Sequence, residues 1–443
     1  MLARSVTLNI LGAATSLSVG FLSSLLLARW LGPTDRGLLA IMVQVYSVAL
    51  ALASVGLPIA VMYFASRPEA RTGALLGTNV VYGLALALVF VPVFWLLRHP
   101  IARLFAHGHG GLAWILAGLL VSLTFLDWTT HNQLLGKLRF GFYNVLVIVS
   151  KVASLIAVVI LVGIAGLGVT GGLLALAAAS AVMIVGSLPP LLGEGSVVYD
   201  ASLLRSMVRY GSRVQVGTVL QLLNYRLDVI VLQFFRPLAD VGYYVVAAIL
   251  AELVITIANA FQSSVLPLVS HYEGQELQAT TSANSLRHHG ILAAGATVAN
   301  AAFAPLMIIY AYGDRFHPAL VPLFILLPGM WFLGTGTVVA GDLRGRGRPG
   351  LSSAMAGLAV VATIVLDVVL IPPFGVPGAA VASVVAYAAY GVASLIALSR
   401  VSGIAVRELA LPGRSDLALY PAAIRRGAAR LRGAAGGGLG ESG

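Results

Sequence analysis

Gly136-Lys137-Leu138-Arg139 and Gly345-Arg346-Gly347-Arg348 are two short basic turns set 209 positions apart, each with long apolar sequence on both sides. Three more pairs keep nearly the same spacing. Leu57-Pro58-Ile59-Ala60 with Tyr63 recurs 209 positions on as Leu266-Pro267-Leu268-Val269 with Tyr272. Gly168-Val169-Thr170-Gly171-Gly172 recurs after 207 positions as Gly375-Val376-Pro377-Gly378-Ala379, and Pro33 with Gly37 matches Pro237 with Gly242 after 204 to 205. One such match arises easily by chance, but four in the same order mark an internal repeat.

The sequence around these turns belongs in a bilayer. Of 443 residues 59% are hydrophobic and 10% charged, with mean hydropathy +0.95, whereas soluble domains carry about 25% charged residues. The absence of cysteine excludes a disulfide scaffold. A span needs about 20 apolar residues, and twelve such runs are found, at roughly 8–30, 38–65, 74–97, 112–135, 145–165, 169–192, 214–235, 241–270, 289–312, 318–341, 351–372 and 377–399. The first run lacks a small-residue cleavage site and reads as an anchor, not a cleaved signal. The repeat shift equals six spans, which preserves topology. The sequence therefore predicts an all-α polytopic membrane protein with two parallel six-helix bundles, residues 1–192 and 214–399, around a central cavity. A cytoplasmic amphipathic linker at 193–213 would join them, and a cytoplasmic Arg/Gly/Ala-rich tail at 400–443 would be partly disordered.

The net charge of +11, from 27 Lys and Arg against 16 Asp and Glu, invites a nucleic-acid partner, but the cations stand singly or in threes between spans and form no continuous face. Counted over alternate loops they divide about 19 to 6. The richer side includes Arg67, Arg71, Lys137, Arg139, Arg205, Arg209, Arg213 and Arg344, and it places both termini in the cytoplasm. Arg205, Arg209 and Arg213 are four apart, the spacing of a basic interfacial helix starting near Asp200 or of a plain charged linker. The external loops are short, the longest running from Arg98 to Gly111, which leaves no domain for chemistry on a large substrate and weighs against a third reading, a polytopic glycosyltransferase. Gly345, Gly347 and Gly350 fit a dinucleotide-binding spacing but lack a βαβ unit. His99, His107 and His109 lack defined metal-ligand spacing, so no metal is expected.

Charges inside spans are functional candidates because they are costly to keep there. They are Asp127, Lys151, Arg226, Asp228, Glu252 and Asp367. Asp127 and Lys151 lie at similar depth on either side of one turn, as do Arg226 and Glu252, so each pair reads either as a fixed bridge or as working groups in a lumen. Guanidinium grips phosphate bidentately, which makes Arg226 the leading substrate contact. Asp228 points away from Arg226 on a regular helix and is a candidate proton or sodium carrier. Asp367, near Pro372, reads as a snorkelling residue at the outer interface. Thr124, Thr129, Thr130, His131, Asn132 and Gln133 make one end of the fourth span polar, and Pro58, Pro92, Pro267, Pro305 and Pro328 are expected to kink their helices.

These motifs resemble the polysaccharide-transport, O-antigen flippase-like branch of the multidrug/oligosaccharidyl-lipid/polysaccharide (MOP) exporter superfamily, over nearly the whole chain to about Arg400. The likeness is carried by Leu25-Leu26-Leu27-Ala28-Arg29-Trp30-Leu31-Gly32-Pro33 with Gly37, by Gly56-Leu57-Pro58, by Gly136-Lys137-Leu138-Arg139-Phe140, by Asn224-Tyr225-Arg226-Leu227-Asp228, and most specifically by Ile371-Pro372-Pro373-Phe374-Gly375-Val376-Pro377-Gly378-Ala379-Ala380. The resemblance implies a MATE-like fold. It also implies export of a lipid-linked oligosaccharide, on an undecaprenyl pyrophosphate carrier, from the cytoplasmic to the outer leaflet of a bacterial cytoplasmic membrane. It implies a driven alternating-access cycle with no covalent catalysis and no cofactor. On this reading Arg226, Lys151 and Asn224 meet the substrate, while Asp228, Asp127 and Glu252 couple transport to a proton or sodium gradient. The four carboxylates exceed the two cations among the intramembrane charges, which keeps open a drug/cation antiporter of the same fold.

Overall fold

A chain in hydrocarbon must satisfy its own backbone, and runs rich in Leu, Ala and Val do so as helices. The computed structural model describes residues 2–413 and Asp416, apart from Pro68, Tyr272 and Glu273. Among these residues the regular structure is helical throughout and no strand occurs. Among the described residues nine helices are long and apolar enough to cross a membrane.

The expected number was twelve, and the difference has physical sources. The helix α1 (Leu2–Ala53) runs through a non-helical residue, Gly32 with φ 73°, directly before Pro33. After α2 (Leu57–Ala65), α3 (Thr72–Leu96), α4 (Arg98–Ala106), α5 (Ala113–Gly136), α6 (Phe140–Ala157) and α7 (Gly168–Leu192) comes α8 (Ala201–Phe235), 35 residues long but too polar to count among the nine. Then follow α9 (Leu238–Ala251), α10 (Ile255–His271), α11 (Gln275–Leu306), α12 (Leu320–Gly345), α13 (Pro349–Ser402) and α14 (Val406–Ala410). In α13 the 54-residue run is broken at Gly375, φ 59°. Both breaks fall at glycines within two residues of a proline, where positive φ is open to Gly alone at low cost. Pro92, Pro305 and Pro328 lie inside helices as expected, whereas Pro58 opens α2 in its first turn, where no hydrogen bond is lost. The connection from Arg98, expected to be the longest external one, is helical over α4. Part of the tail forms α14; the remainder from residue 417 lies outside the described residues.

The chain divides into two compact units. The first comprises Met1–Leu250, Ala304–Leu326 and Val360–Ser383. Leu76, Leu134, Leu146, Met183 and Leu191 form one buried cluster in it, drawn from α3, α5, α6 and α7. At its basic end a clasp ties three connections together: Glu194 accepts from Lys137 at 2.8 Å, Arg139 at 2.6 Å and Thr72 at 2.9 Å. The hydrogen bond from Lys137 leads, with Thr72 and the two positive charges assisting, in holding the Glu194 carboxyl below the usual carboxylate range. Asp200 caps α8, accepting from the Ser202 hydroxyl at 2.6 Å, Leu203 N at 3.0 Å and Ser202 N at 2.9 Å; the hydroxyl bond leads, with the backbone bonds and Arg71 assisting, in lowering its pKa as well. The helix so begun continues unbroken to Phe235, so the basic segment and the following span are one element.

The second unit comprises Ala251–Phe303, Leu327–Ala359 and Val384–Gly443. Its basic turn is also clasped: Arg346 donates to Asp342 at 2.5 Å, to Gln278 at 3.2 Å and to Ser282 at 2.8 Å, and Ser282 donates to Asp342. The two repeated GxxR turns therefore serve matching structural ends with different partners. Arg287 donates to Glu408 O at 2.7 Å, which fastens α14 to α11.

Candidate functional site

Within the first unit α8 presents one face to a cavity and another to the interior. Gln215, Leu222 and Arg226 follow the helical period along one of them and line a cavity of about 400 Å³. The opposite wall is α5, where Trp128 and Asn132 are one turn apart, and the remaining wall is the break between α1 and α2, with Ser54, Gly56 and Pro58. Gln215 donates to Ala51 O and closes one edge. Indole, amide and guanidinium groups so arranged supply an apolar face, hydroxyl partners and an anion grip.

The other face of α8 is buried. Asn224 and Asp228 are one turn apart and each 4% exposed. Asp228 accepts from Tyr244 of α9, from Ser383 of α13 at 3.1 Å and from Val229 N at 2.7 Å. Among the described residues the Asn224 side-chain oxygen has no hydrogen-bond partner. Asp367 of α13 is 0% exposed, feels the charge of Asp228, and among the described residues has neither carboxylate oxygen hydrogen-bonded. The snorkelling expected of Asp367 is thus overturned. Its helix turns at Gly375, beyond Pro372 and Pro373, and packs this part of α13 inward, where a local sequence reading placed an interface.

The other expected site residues are dispersed. Asp127 does not bridge to Lys151; it is held by His131, one turn along α5, and by Ser180 of α7, both at 3.2 Å. Lys151 lies exposed on α6. An i,i+4 partner on the same helix was available to Asp127 in the sequence and outcompetes a cation across the turn. Glu252 belongs to the second unit. Of the three expected substrate contacts only Arg226 lines the cavity. In the polar end of α5, Thr129, Thr130 and Gln133 are buried and structural, Gln133 donating to Thr72 O at 2.9 Å, while Asn132 reaches the cavity. Sequence reading missed Trp128, Tyr244 and Ser383, whose types are ordinary in spans. It also missed Arg36, counted as a loop cation but 8% exposed, with its guanidinium on Ser24 at 3.3 Å.

Comparison with known proteins bears on the same region. Residues 26–321, which include the whole cavity lining, match the profile described as polysaccharide biosynthesis protein. The chain belongs to the polysaccharide biosynthesis protein family. It is 26% identical over 188 residues to a probable low-salt glycan biosynthesis flippase, Agl15, of Haloferax volcanii, covering 42% of this chain and 40% of that one. It is 24% identical over 209 residues to an uncharacterised membrane protein of Methanocaldococcus jannaschii, covering 46% and 41%. The chain thus spans about two-fifths of the length of these curated relatives. Among solved structures, the lipid II flippase MurJ in an inward closed conformation superposes with TM-score 0.76 at 14% identity, covering 89% of this chain and 87% of that one. An inward-facing MATE multidrug transporter of the MOP superfamily superposes with TM-score 0.73 at 15% identity, covering 89% and 98%. At such identities the likeness speaks to fold, and the fold is the MATE-like one expected. The expected membership of the polysaccharide branch of the MOP superfamily is borne out by the family match.

Proposed function

We propose that this protein is an alternating-access flippase that moves a lipid-linked saccharide from the cytoplasmic to the outer leaflet, driven by a cation gradient. The observation that carries the reading is the cavity in which Arg226, Trp128, Asn132 and Gln215 meet. Arg226 takes a phosphate of the lipid carrier, expected to be undecaprenyl pyrophosphate, through charge-assisted hydrogen bonds. Trp128 receives the apolar face of a sugar ring, and the two amides take hydroxyl groups. No bond is made or broken, so the cavity needs only to bind, enclose and release.

Coupling falls to Asp228 and Asp367. Two carboxylates buried together are tolerable when a proton or a sodium ion offsets their charge. Asp127, held by His131, and Asn224, Lys151 and Glu252 act in support as the cycle moves them. The reading includes twelve spans, obtained when the two sides of Gly32 and of Gly375 are counted separately and α8 is added. It also includes both termini in the cytoplasm of a bacterial cell, the repeats at 1–192 and 214–399, and the linker at 193–213. The named relatives that support it are flippases and transporters.

The deciding experiment is loss of function followed by analysis of lipid-linked intermediates, which should accumulate on the cytoplasmic leaflet. Arg226→Ala should reproduce that accumulation. If Arg226→Ala combined with Glu252→Ala restores export, Arg226 only balances a charge and its substrate role fails. The carboxylate excess favours one rival, a drug/cation antiporter, which predicts normal lipid-linked intermediates and altered sensitivity to cationic drugs.

A further inference from the structure

Gly37 and Gly242 face each other's turns. A Cβ on Gly37 would lie 1.9 Å from Leu238 O, and one on Gly242 would lie 2.0 Å from Pro33 O. These are the equivalent Pro-Gly positions of the two repeats, Pro33 with Gly37 and Pro237 with Gly242. The contact is therefore reciprocal, each glycine admitting the backbone beside the other repeat's proline. A second seam of the same kind lies near the basic end of α8. A Cβ on Gly56 would lie 2.2 Å from Gly211 O, and one on Gly211 would lie 2.6 Å from Val55 O. Tyr63 and Tyr210 stack beside this seam, with ring centroids 4.3 Å apart and planes 7° apart, and Arg67 donates to the Tyr63 hydroxyl.

From Gly211 to the far end of α8 is about 35 Å at 1.5 Å per residue, comparable to the roughly 30 Å hydrocarbon core. The two seams therefore sit at opposite faces of the membrane, and Arg226, Asn224, Asp228 and the cavity lie between them. All four glycines belong to the first unit. Backbone packed on backbone without intervening side chains closes tightly yet carries few contacts that must be broken to part it. That combination suits an element that opens and shuts, and in these two seams it brackets the cavity along α8.

We infer that the two glycine seams are the two gates of the transport cycle, Gly37 and Gly242 at one membrane face and Gly56 and Gly211 at the other, both shut in this structure. The inference rests on the alternating-access reading but not on the identity of the substrate. A methyl group at one seam holds that gate open and leaves the other free. Gly211→Ala, Gly37→Ala and Gly242→Ala are the informative changes, since Gly56 also needs its positive φ of 73°.

The chain has no cysteine, so Leu222→Cys places a single reporter on the cavity wall. Its reaction with a membrane-impermeant thiol reagent is followed in vesicles of both orientations. Gly211→Ala should raise the rate from the face of Arg205, and Gly37→Ala or Gly242→Ala from the opposite face. Each change should be about tenfold, equivalent to ~1.4 kcal/mol, a modest overpacking cost. Unchanged rates, equal increases from both faces, or the reversed pattern would overturn the assignment. Should an alanine variant fail to fold, Tyr63→Cys with Tyr210→Cys, bridged by a short bifunctional thiol reagent, locks the second seam in the otherwise unaltered protein. Locking should abolish access from the Arg205 face, and persistent access through a bridged seam would equally refute the gate. If the accessibility pattern holds while lipid-linked intermediates stay normal, the gates stand and the saccharide assignment falls.

Discussion

Asp367→Asn separates a cation site from an accident of packing. In the parent both carboxylate oxygens of Asp367 are buried without a hydrogen-bond partner among the described residues, while Asp228 in its neighbourhood has three donors. An ionised carboxylate so placed costs several kcal/mol unless it is neutralised. Asparagine removes that charge but leaves an amide with its own buried polar atoms, so the net gain in sodium-free buffer at neutral pH should be ~1 kcal/mol. With sodium the order reverses. Ligand present at a hundred times its Kd stabilises the parent by ~2.7 kcal/mol. Loss of one unit charge about 4 Å from a cation, at an effective dielectric of about 20, removes ~4 kcal/mol of attraction and almost three decades of affinity. Thermal unfolding of the purified protein should show, for the parent, a midpoint that rises over a hundredfold increase in sodium and, without sodium, rises as the pH is lowered, and for Asp367→Asn a midpoint flat in both series. Asp228→Asn loses the cation response too but is also less stable in every buffer, by ~1–3 kcal/mol, because Tyr244 and Ser383 lose their shared acceptor. A parent indifferent to both sodium and pH would refute the reasoning, as would an Asp367→Asn protein that keeps the parent's response. Gradient-driven transport in vesicles by Asp228→Asn gives the functional counterpart, and an unchanged gradient dependence there removes Asp228 from coupling.

Two further outcomes are expected. Glu194→Gln should destabilise the protein by ~0.5–1 kcal/mol at neutral pH, the range of a partly exposed ion pair. Because Lys137, Thr72 and Arg139 hold the folded carboxyl below its unfolded value, the benefit is present above pH ~4.3 and fades as pH falls through the folded pKa, so parent and variant unfolding curves should converge in acid; a difference that persists there would discredit the clasp. His109→Cys and Arg348→Cys, both at exposed positions, should label oppositely with an impermeant reagent in intact cells, the first reacting and the second protected, and any other pattern contradicts the orientation read from the charges.

Much of the helical frame was legible because it rests on local physics. Apolar runs between Gly, Pro and Arg have one satisfied conformation in hydrocarbon, and Asp200 with Ser202 and Leu203 announced the start of α8 through the capping preference. Gly32 and Gly375 were quoted within motifs, yet their role as break points depends on φ, which no hydropathy window reports. The site was less legible because its members are defined by partners. Trp128 is one of five tryptophans and acquires meaning only opposite Arg226. Asp367 looked interfacial by its distance from Pro372, and only the packing beyond the break reveals it as buried. Asp127 had two possible partners, His131 one helical turn away and Lys151 across the next connection, and the nearer, on the same helix, took it.

The arrangement of α8 connects these observations. Residues two apart on a helix point about 200° apart at 3.6 residues per turn, so Arg226 and Asp228 look to opposite sides of one rigid rod. Arg226 reaches the cavity wall with Gln215 and Leu222, while Asp228 reaches Tyr244 and Ser383 beside Asp367. Neutralising Asp228 or Asp367 changes how tightly that buried face is held, and a helix that shifts or turns in response must carry Arg226 with it. The seams at Gly211 and near Leu238 flank the same rod. On the proposed reading, charge at one face, grip at the other and closure at either end are thus bound to a single element, and a cation would bias both substrate affinity and gate position without any contact between cation and substrate.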